Sequence, residues 1–396
     1  MKMLPSFKIA DKGIFFIAVT QFGVAFSNNF IMVFMPFYIL KISPFGPRET
    51  LLWIGFILGG TSIATAIFSP FWGGLTARFS PKLLFERGIF CSAVIILLMG
   101  YTESVYLLLL LRMTQGALGG ASTIGLILTS ALSPKEKLNT NIGFFQNAIT
   151  AGQLLGPPVG AYAAATLGYH LPFLLAFLML VVVLIFCHRS VRAIPPQQDP
   201  PRQSATLKKE ILVGWFLCFI ATVHLIFLPS ILPRILADFK LTEKIALNAA
   251  GIIMMAYTAA AIVGSYILCN IAYRVGLKKI MTIALSMASF LQIFLIFGHG
   301  FWSFTAIRML QIFFIAAAFP LTVSFFARSV GGKMIGFLNA ARFFGNAVGP
   351  LMATSVLAYA NLLALYGIIA VLTLGSLWAF LTLIKTGDEP CSVQDS

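Results

Sequence analysis

The sequence predicts an all-α integral membrane protein with twelve transmembrane helices in two pseudo-symmetric six-helix bundles, both termini being cytoplasmic. Hydrophobic residues make up 59% of the chain and charged residues only 10%, whereas a soluble domain carries about a quarter charged residues. Apolar runs long enough to cross a bilayer recur along all 396 residues. Three polar or glycine-rich landmarks occur twice, 193 to 196 positions apart. The bilayer therefore has to serve as the solvent for most of this chain.

Apolar runs bounded by charges or turn residues predict the spans in chain order. The first run is too long for a signal-peptide core and lacks a convincing cleavage site, so we expect it to remain as a helix. The twelve predicted spans are 13–40, 51–77, 87–102, 104–132, 141–167, 170–187, 211–235, 245–272, 280–298, 301–327, 334–360 and 361–385.

The basic residues set the predicted orientation. The formal net charge is +15, but the Lys and Arg residues are dispersed between apolar segments, which excludes a nucleic-acid interface. With the N-terminus inside, 19 basic residues lie on the cytoplasmic side, five lie outside, and Arg112, Arg308 and Arg342 fall within helices. The positive-inside rule then places both termini in the cytoplasm.

A polar segment divides the chain almost in half. It runs from His188 to Glu210 and contains four prolines and five basic residues among few apolar ones, a composition typical of an exposed linker. We therefore predict an N-terminal bundle over 1–188, a cytoplasmic linker over 189–210 and a C-terminal bundle over 211–396.

The landmarks of the first half return in the second half in the same order. Six helices followed by six helices, joined by a cytoplasmic linker, are typical of a secondary transporter built from repeats. The repeated landmarks are Arg78 and Lys82 with Arg274 and Lys278, Arg112-Met-Thr-Gln115 with Arg308-Met-Leu-Gln311, and Gly143 to Pro157 with Gly336 to Pro350.

These motifs resemble those of the major facilitator superfamily, and within it those of the twelve-span bacterial drug:proton antiporters. Residues 73–82 resemble the family's first motif, and Arg112-x-x-Gln115-Gly116 resembles its fourth-helix motif. The resemblance to the fifth-helix antiporter motif rests on Gly143, Gly152, Gly156, Pro157 and Gly160. The resemblance implies two bundles around a cavity that opens to alternate sides, multidrug efflux coupled to protons, and a multi-pass location in the bacterial inner membrane.

Two departures from the family pattern matter. The first motif has Ala77 where the family has an Asp that helps latch the two bundles, so the latch lacks its carboxylate. The second departure is the absence of an acid at membrane depth, since all twelve Asp and Glu residues fall outside the predicted spans or near their ends. Exporters of cationic drugs in this family usually carry such an acid.

Small residues at every fourth position allow two helix backbones to approach closely, and proline kinks a helix. The repeated segments could therefore gate the cavity, or they could simply pack helices together. Gating or packing roles are expected for Gly152, Gly156, Pro157, Gly160, Gly345, Gly349, Pro350, Arg78 and Lys82.

Charged and polar residues within the spans are the candidate solute contacts. An arginine at membrane depth either binds a solute or fixes helix packing through backbone carbonyls. His224 is either a packing residue or the proton carrier, because histidine titrates near neutral pH. The predicted solute-binding residues are Arg342, Arg112, Arg308, Asn28, Asn29, Gln21, Gln146, Asn147 and Asn339.

Three embedded arginines without an embedded acid are costly unless backbone carbonyls, water or an anionic solute offset their charge. Our hypothesis is a positively charged cavity that prefers anionic or neutral solutes. We therefore expect export of a small neutral or anionic amphipathic solute, such as a drug-like compound, a carboxylate siderophore or an acidic metabolite. The alternative is import of an anionic nutrient or siderophore with the same fold. The expected partners are the solute, protons and lipid, and the protein is expected to be a monomer. His224 or the solute's own carboxylate could carry the proton, or another ion or an exchange could drive transport. No cofactor or metal is expected, and the sequence shows no nucleophile–base pair or phosphate loop of an enzyme.

Overall fold

The computed structural model describes residues 12–134, 137–196, 209–330 and 332–383, and within these ranges the chain contains helices and connecting turns but no β-strand. The helices are α1 (Lys12–Met32), α2 (Met35–Ile42), α3 (Pro47–Leu75), α4 (Pro81–Met99), α5 (Val105–Leu118), α6 (Ala121–Leu132), α7 (Leu138–Leu167), α8 (His170–Ser190), α9 (Lys209–Asp238), α10 (Glu243–Val275), α11 (Leu277–Phe294), α12 (Phe301–Ile315), α13 (Ala318–Val330), α14 (Gly332–Tyr359) and α15 (Leu362–Leu383).

Three of the predicted spans are each two helices. The first is interrupted by a turn at Val33 and Phe34, the fourth between α5 and α6, and the tenth between α12 and α13. Apolar periodicity is the same on both sides of such a break, so hydropathy alone does not reveal it. Among the described residues, eight helices or helix pairs are long and apolar enough to cross a membrane. The all-α membrane class is confirmed, and the count of twelve spans and the side of the termini stay predictions.

Large apolar side chains cover the outside of the helices. Trp302 is 81% exposed, Val182 66% and Ile67 65%. Apolar patches of this extent are not found on soluble monomers, where they would associate. The helices are therefore built to face hydrocarbon, and their polar groups have to find partners inside the protein.

The helices form two compact units. One contains residues 12–34 and 64–196, and the other contains 35–63 and 209–383 among the described residues. The first half of α3 thus packs with the second unit, although its sequence lies in the first half of the chain. The predicted division into 1–188, 189–210 and 211–396 stays a prediction, and linker residues 197–208 lie outside the described residues.

In the first unit, glycines let α7 lie directly on the backbone of α1. A Cβ atom on Gly152 would lie 2.7 Å from the backbone nitrogen of Phe26, and one on Gly156 would lie 2.8 Å from its carbonyl oxygen. A Cβ on Gly160 would overlap the carbonyl of Phe30. Because backbone atoms cannot swing aside as side chains do, this helix pair requires the three glycines.

The second unit repeats this packing between α14 and α9. A Cβ atom on Gly345 would lie 2.9 Å from the carbonyl oxygen of Phe219, whereas one on Gly349 would lie 3.7 Å from the Cα of Val223, an ordinary contact. The repeated glycines therefore have the same packing role in both units, less tightly at Gly349.

The other face of α14 receives the first half of α3. A Cβ atom on Gly59 would lie 2.5 Å from the carbonyl oxygen of Ala347, and one on Gly55 would lie 3.2 Å from the Cα of Leu351. At the start of α3, the guanidinium of Arg48 lies over the ring of Tyr359, 3.8 Å from its centroid. Helix α14 is thus enclosed closely on two sides within the second unit.

We expect Gly156→Ala to lower the free energy of unfolding by about 1–3 kcal/mol, the usual cost of overpacking. Gly143→Ala is the matched control on the same helix, because nothing lies within 4 Å of a Cβ atom at Gly143. Chemical denaturation of the purified protein in lipid-like micelles, followed by circular dichroism, measures both. Equal stability of the two variants would contradict the close contact of α7 with α1.

Candidate functional site

In the first unit, Arg112 is buried within a small polar network. Its Nη1 donates a hydrogen bond to Gln115 Oε1 at 3.0 Å, one turn along α5, and its Nη2 lies 3.3 Å from Met32 Sδ. Gln115 Nε2 then donates to Asn28 Oδ1 on α1 at 3.2 Å. Asn28 in turn donates to the carbonyl of Val24 at 3.0 Å. The predicted solute-contact residues Arg112 and Asn28 are therefore joined through Gln115.

The second unit contains the same arrangement with shorter bonds. Arg308 Nη1 donates to Gln311 Oε1 at 2.5 Å, and its Nη2 donates to the carbonyl oxygen of His224 at 2.5 Å. Gln311 Nε2 lies 2.6 Å from His224 Nδ1, and His224 Nε2 lies 2.8 Å from Thr373 Oγ1 on α15. The side chains of all four residues are fully enclosed.

The two networks are related by the internal repeat. Arg112 and Arg308, and likewise Gln115 and Gln311, are 196 positions apart, as the sequence indicates. Asn28 and His224 are also 196 positions apart. These last two residues were not paired from the sequence, although the same offset relates them.

The donors and acceptors fix the proton on His224. Arg308 can only donate, so Gln311 Oε1 faces it and the amide Nε2 of Gln311 faces the imidazole. His224 Nδ1 is therefore an acceptor, and Nε2 carries the proton and donates it to Thr373. The hydroxyl of Thr373 donates to the carbonyl oxygen of Ile369 at 2.7 Å. The network as a whole holds a neutral imidazole in one tautomer.

Aromatic rings provide the remaining stabilisation of the Arg308 cation. The guanidinium carbon lies 4.9 Å from the ring centroid of Phe227 and 5.2 Å from that of Tyr257, distances at which a cation–π attraction is significant. Among the side chains that the structure describes, no carboxylate pairs with Arg308 or with Arg112. Both cations are stabilised by amides, carbonyls, sulfur or rings in place of a counter-ion.

Arg342 is in a different environment. It lies on α14, 193 positions after Ile149, and its side chain is only half-buried. Its guanidinium lies over Phe319 of α13, 4.9 Å from the ring centroid. The described acidic side chains form no ion pair with it either. Of the three embedded arginines, Arg342 is the least buried.

The other predicted polar contacts have varied positions. Gln21 is buried and donates to Ser122 Oγ at 2.8 Å, while its Oε1 has no partner among the described groups. Asn29 donates to the carbonyl of Ala25 at 2.8 Å. Gln146 is half-buried and Asn147 is exposed on α7. The backbone of Asn339 lies in α14, and its side chain is outside the described residues.

The residues of the first motif lie in the turn after α3 and at the start of α4. Arg78 is exposed in the turn between α3 and α4. Lys82 lies 3.6 Å from Glu86 and donates to the carbonyl oxygen of His188 at 2.7 Å. Glu86 Oε1 also lies 3.3 Å from His188 Nδ1. This connection between the start of α4 and the end of α8 was not predicted from the sequence.

Comparison with known proteins identifies the family. The model of the Major Facilitator Superfamily matches residues 17–242 and 211–394. The chain belongs to this superfamily. The multidrug resistance protein MdtG of Enterobacter lignolyticus is 27% identical over 390 residues, covering 94% of this chain and 92% of the relative. The MdtG protein of Proteus mirabilis is 26% identical and covers 85% of this chain and 86% of its own length.

Solved structures share the fold at low sequence identity. The nucleoside transporter NupG superposes with a TM-score of 0.72 at 14% identity and covers 94% of this chain and 99% of its own. The human organic anion transporter MFSD10 superposes with a TM-score of 0.62 at 16% identity, covering 93% of this chain and 98% of its own. These likenesses show the fold.

Family membership confirms several predictions from the sequence. The protein is a secondary transporter of small molecules and not an enzyme. It is a multi-pass protein of the bacterial inner membrane. The roles of individual residues in solute binding, gating and proton coupling stay predictions.

We expect Gln311→Met to destabilise the protein by about 1.5–3 kcal/mol, because Arg308 loses its side-chain acceptor and His224 loses a donor. Gln115→Met is the matched control at the repeat-related position, where the bonds are longer, and a smaller loss is expected. Thermal unfolding of both purified variants measures the difference. A loss for Gln115→Met that equals or exceeds the loss for Gln311→Met would show that the two networks are not ranked by these distances.

Proposed function

We propose that the protein exports a small neutral or anionic amphipathic solute by alternating access, coupled to proton entry. The observation that carries the solute class is the set of three arginines within the helices, none of which forms an ion pair with a described carboxylate. A cationic drug beside any of these arginines would meet like charge, while an anion would supply the missing counter-charge. The solute class is therefore set by electrostatics.

Arg342 is the residue that we propose for contact with the solute. Arg308 is enclosed, and its Nη atoms are already hydrogen-bonded to protein groups. Arg112 is nearly as buried and is bonded to Gln115. In contrast, Arg342 is half-buried beside an aromatic ring, so its planar fork can take a carboxylate in two parallel hydrogen bonds. Arg112 and Arg308 would act on the solute through their networks.

Export is favoured over import by the relatives and by the fifth-helix motif. Two relatives that align with this chain over 92% and 86% of their own length are both named multidrug resistance protein MdtG. The glycines of the antiporter motif are present and pack α7 on α1. Neither observation fixes the direction by itself, because the fold serves both directions. The direction is therefore part of the proposal, and a transport assay of known membrane orientation measures it.

The solute class is tested with two xanthene dyes of similar size and opposite charge, carboxyfluorescein (anionic) and tetramethylrhodamine methyl ester (cationic). In proteoliposomes, we expect the protein to transport the anionic dye in preference to the cationic dye, in the direction from its cytoplasmic face to its outer face. Arg342→Gln should raise KM for the anion by about tenfold or more, the cost of a charge-assisted hydrogen bond, and Arg342→Lys should lose less. Preference for the cation would overturn the solute class, and net movement inward would favour the importer.

His224 is the proposed proton carrier, and its hydrogen bonds link its protonation to the bonding of Arg308. The neutral imidazole accepts from Gln311 at Nδ1 and donates from Nε2. A second proton on Nδ1 would turn that acceptor into a donor facing the Gln311 amide. Gln311 would then have to turn, and Arg308 would lose its acceptor. Protonation of His224 is thereby linked to release of the Arg308 cation from its side-chain partner.

His224→Asn tests this carrier role, because asparagine occupies the repeat-related position in the first unit and accepts there from Gln115. We expect the variant to lose accumulation of carboxyfluorescein driven by a pH gradient, while exchange of the dye across the membrane without a gradient continues. Thr373→Val is the control that removes only the hydroxyl beside the imidazole. If His224→Asn still accumulates the dye under a pH gradient, another group carries the proton.

A further inference from the structure

The span that carries Arg112 is interrupted by two glycines. Helix α5 ends at Leu118 and α6 begins at Ala121. Between them, Gly119 has a ψ of −118° and Gly120 has a φ of +81°, a left-handed conformation that favours glycine. The last carbonyls of α5 lose their intrahelical partners at this break. In hydrocarbon each of them requires a partner from the protein.

Side chains from neighbouring helices provide those partners, and besides Thr65 of α3, which donates from Oγ1 to the carbonyl oxygen of Gly116 at 3.4 Å, two make shorter bonds. Trp72 of α3 donates from Nε1 to the carbonyl oxygen of Ala117 at 2.6 Å. Arg87 of α4 donates from Nη2 to the carbonyl oxygen of Gly119 at 3.0 Å. The guanidinium carbon of Arg87 lies 3.3 Å from the ring centroid of Trp72, so the two donors also stack on one another. Trp72 and Arg87 together form what we call the carbonyl clamp.

The break fits closely against the clamp. A Cβ atom on Gly120 would lie 3.4 Å from the Trp72 side chain, and one on Gly88 of α4 would lie 3.0 Å from the carbonyl oxygen of Gly119. Beyond the break, Ser69 and Thr123 share a hydrogen bond of 2.8 Å, which connects α3 with α6. The bend is therefore held from both sides by α3 and α4 and is not a local irregularity of one helix.

The repeat-related span has a break but no clamp. Helices α12 and α13 are separated at Ala316 and Ala317, and Ala316 keeps helical angles of φ −63° and ψ −25°. The positions 196 residues after Trp72 and Arg87 are Leu268 and Ile283, neither of which has a side-chain donor. The break in the second half stays close to helical geometry, since the backbone nitrogen of Ala316 still donates to the carbonyl oxygen of Ile312 at 3.0 Å. The clamp is therefore particular to the first half, where Gly119 and Gly120 depart from helical geometry.

We propose that the carbonyl clamp fixes the angle between α5 and α6 and so positions the Arg112 network for transport. Gln115 lies about one turn before the break and Arg112 about two, so a change of this angle moves both side chains relative to α6. Loss of a clamp donor leaves a carbonyl unpaired and lets the bend relax. Trp72 and Arg87 are positioning residues, since neither is argued to contact the solute. The inference rests on secondary transport and not on the solute class or the proton carrier.

The angle is measured directly by pulsed electron paramagnetic resonance in the full chain. Spin labels are attached at Leu110, which is 60% exposed on α5, and at Pro134, which is exposed after α6, with the five native cysteines replaced. We expect Trp72→Phe and Arg87→Met to shift and broaden the distance distribution between the labels. Arg87→Lys, which keeps the charge but loses the planar stacking, should have an intermediate effect. Phe90→Leu, on an exposed side chain of α4, is the matched control and should leave the distribution unchanged.

Transport of carboxyfluorescein in proteoliposomes provides the functional measurement. Each clamp variant should lower kcat by about tenfold, as expected for loss of one hydrogen bond. The double variant should lose no more than the worse single variant, because the two donors act as one unit. Unchanged label distances in both single variants, or losses of kcat that add in the double variant, would overturn the proposal. The distance measurement needs no solute, so failure of the solute assignment leaves it decisive.

Discussion

A guanidinium group buried among apolar helices has to be surrounded by acceptors, and this requirement organises both units. In each unit a glutamine three residues after the arginine provides the first acceptor and turns its amide nitrogen toward the first helix of the repeat. The glutamine therefore connects the arginine on one helix to a hydrogen-bonding side chain on another helix. The glycines that bring α7 onto α1, and α14 onto α9, hold the first helix of each repeat in place. Polar geometry and close packing depend on one another.

The two halves differ in the residue at which each arginine–glutamine network ends. Asn28 ends the first network on the carbonyl of Val24, in its own helix. His224 extends the second network to Thr373 on α15, so that a titratable group joins α9, α12 and α15. The first half has instead a glycine break with donors from two helices. One half thus holds a group that can change its charge, and the other holds a bend whose angle is fixed by side chains.

The sequence predicted much of the fold and part of the site. Composition, charge placement and the repeated landmarks indicated an all-helical transporter, and the offset of 196 joined Arg112 with Arg308. The breaks between paired helices were missed because an apolar helix and an apolar broken helix share one hydropathy pattern. The clamp was missed because Trp72 and Arg87 lie in different predicted segments and meet only in three dimensions. The burial of Arg308 could be recognised only in the structure, because a lone arginine within an apolar span is also what we expect of a solute-binding residue.

Arg308 and Arg342 show why residue type alone does not assign a role. Both are arginines on helices of the second unit, and neither pairs with a described carboxylate. Both Nη atoms of Arg308 are bonded, one to an amide and one to a carbonyl, and two rings lie beside the cation. Only its enclosed Nε has no hydrogen-bond partner among the described groups, so an anion would have to displace existing bonds to make a two-point contact. Arg342 is less buried than Arg308, and the ring of Phe319 lies beside its guanidinium. This difference in surroundings is the reason that we propose Arg342, whose counterpart in the first half is Ile149, and not Arg308 for direct contact with the solute.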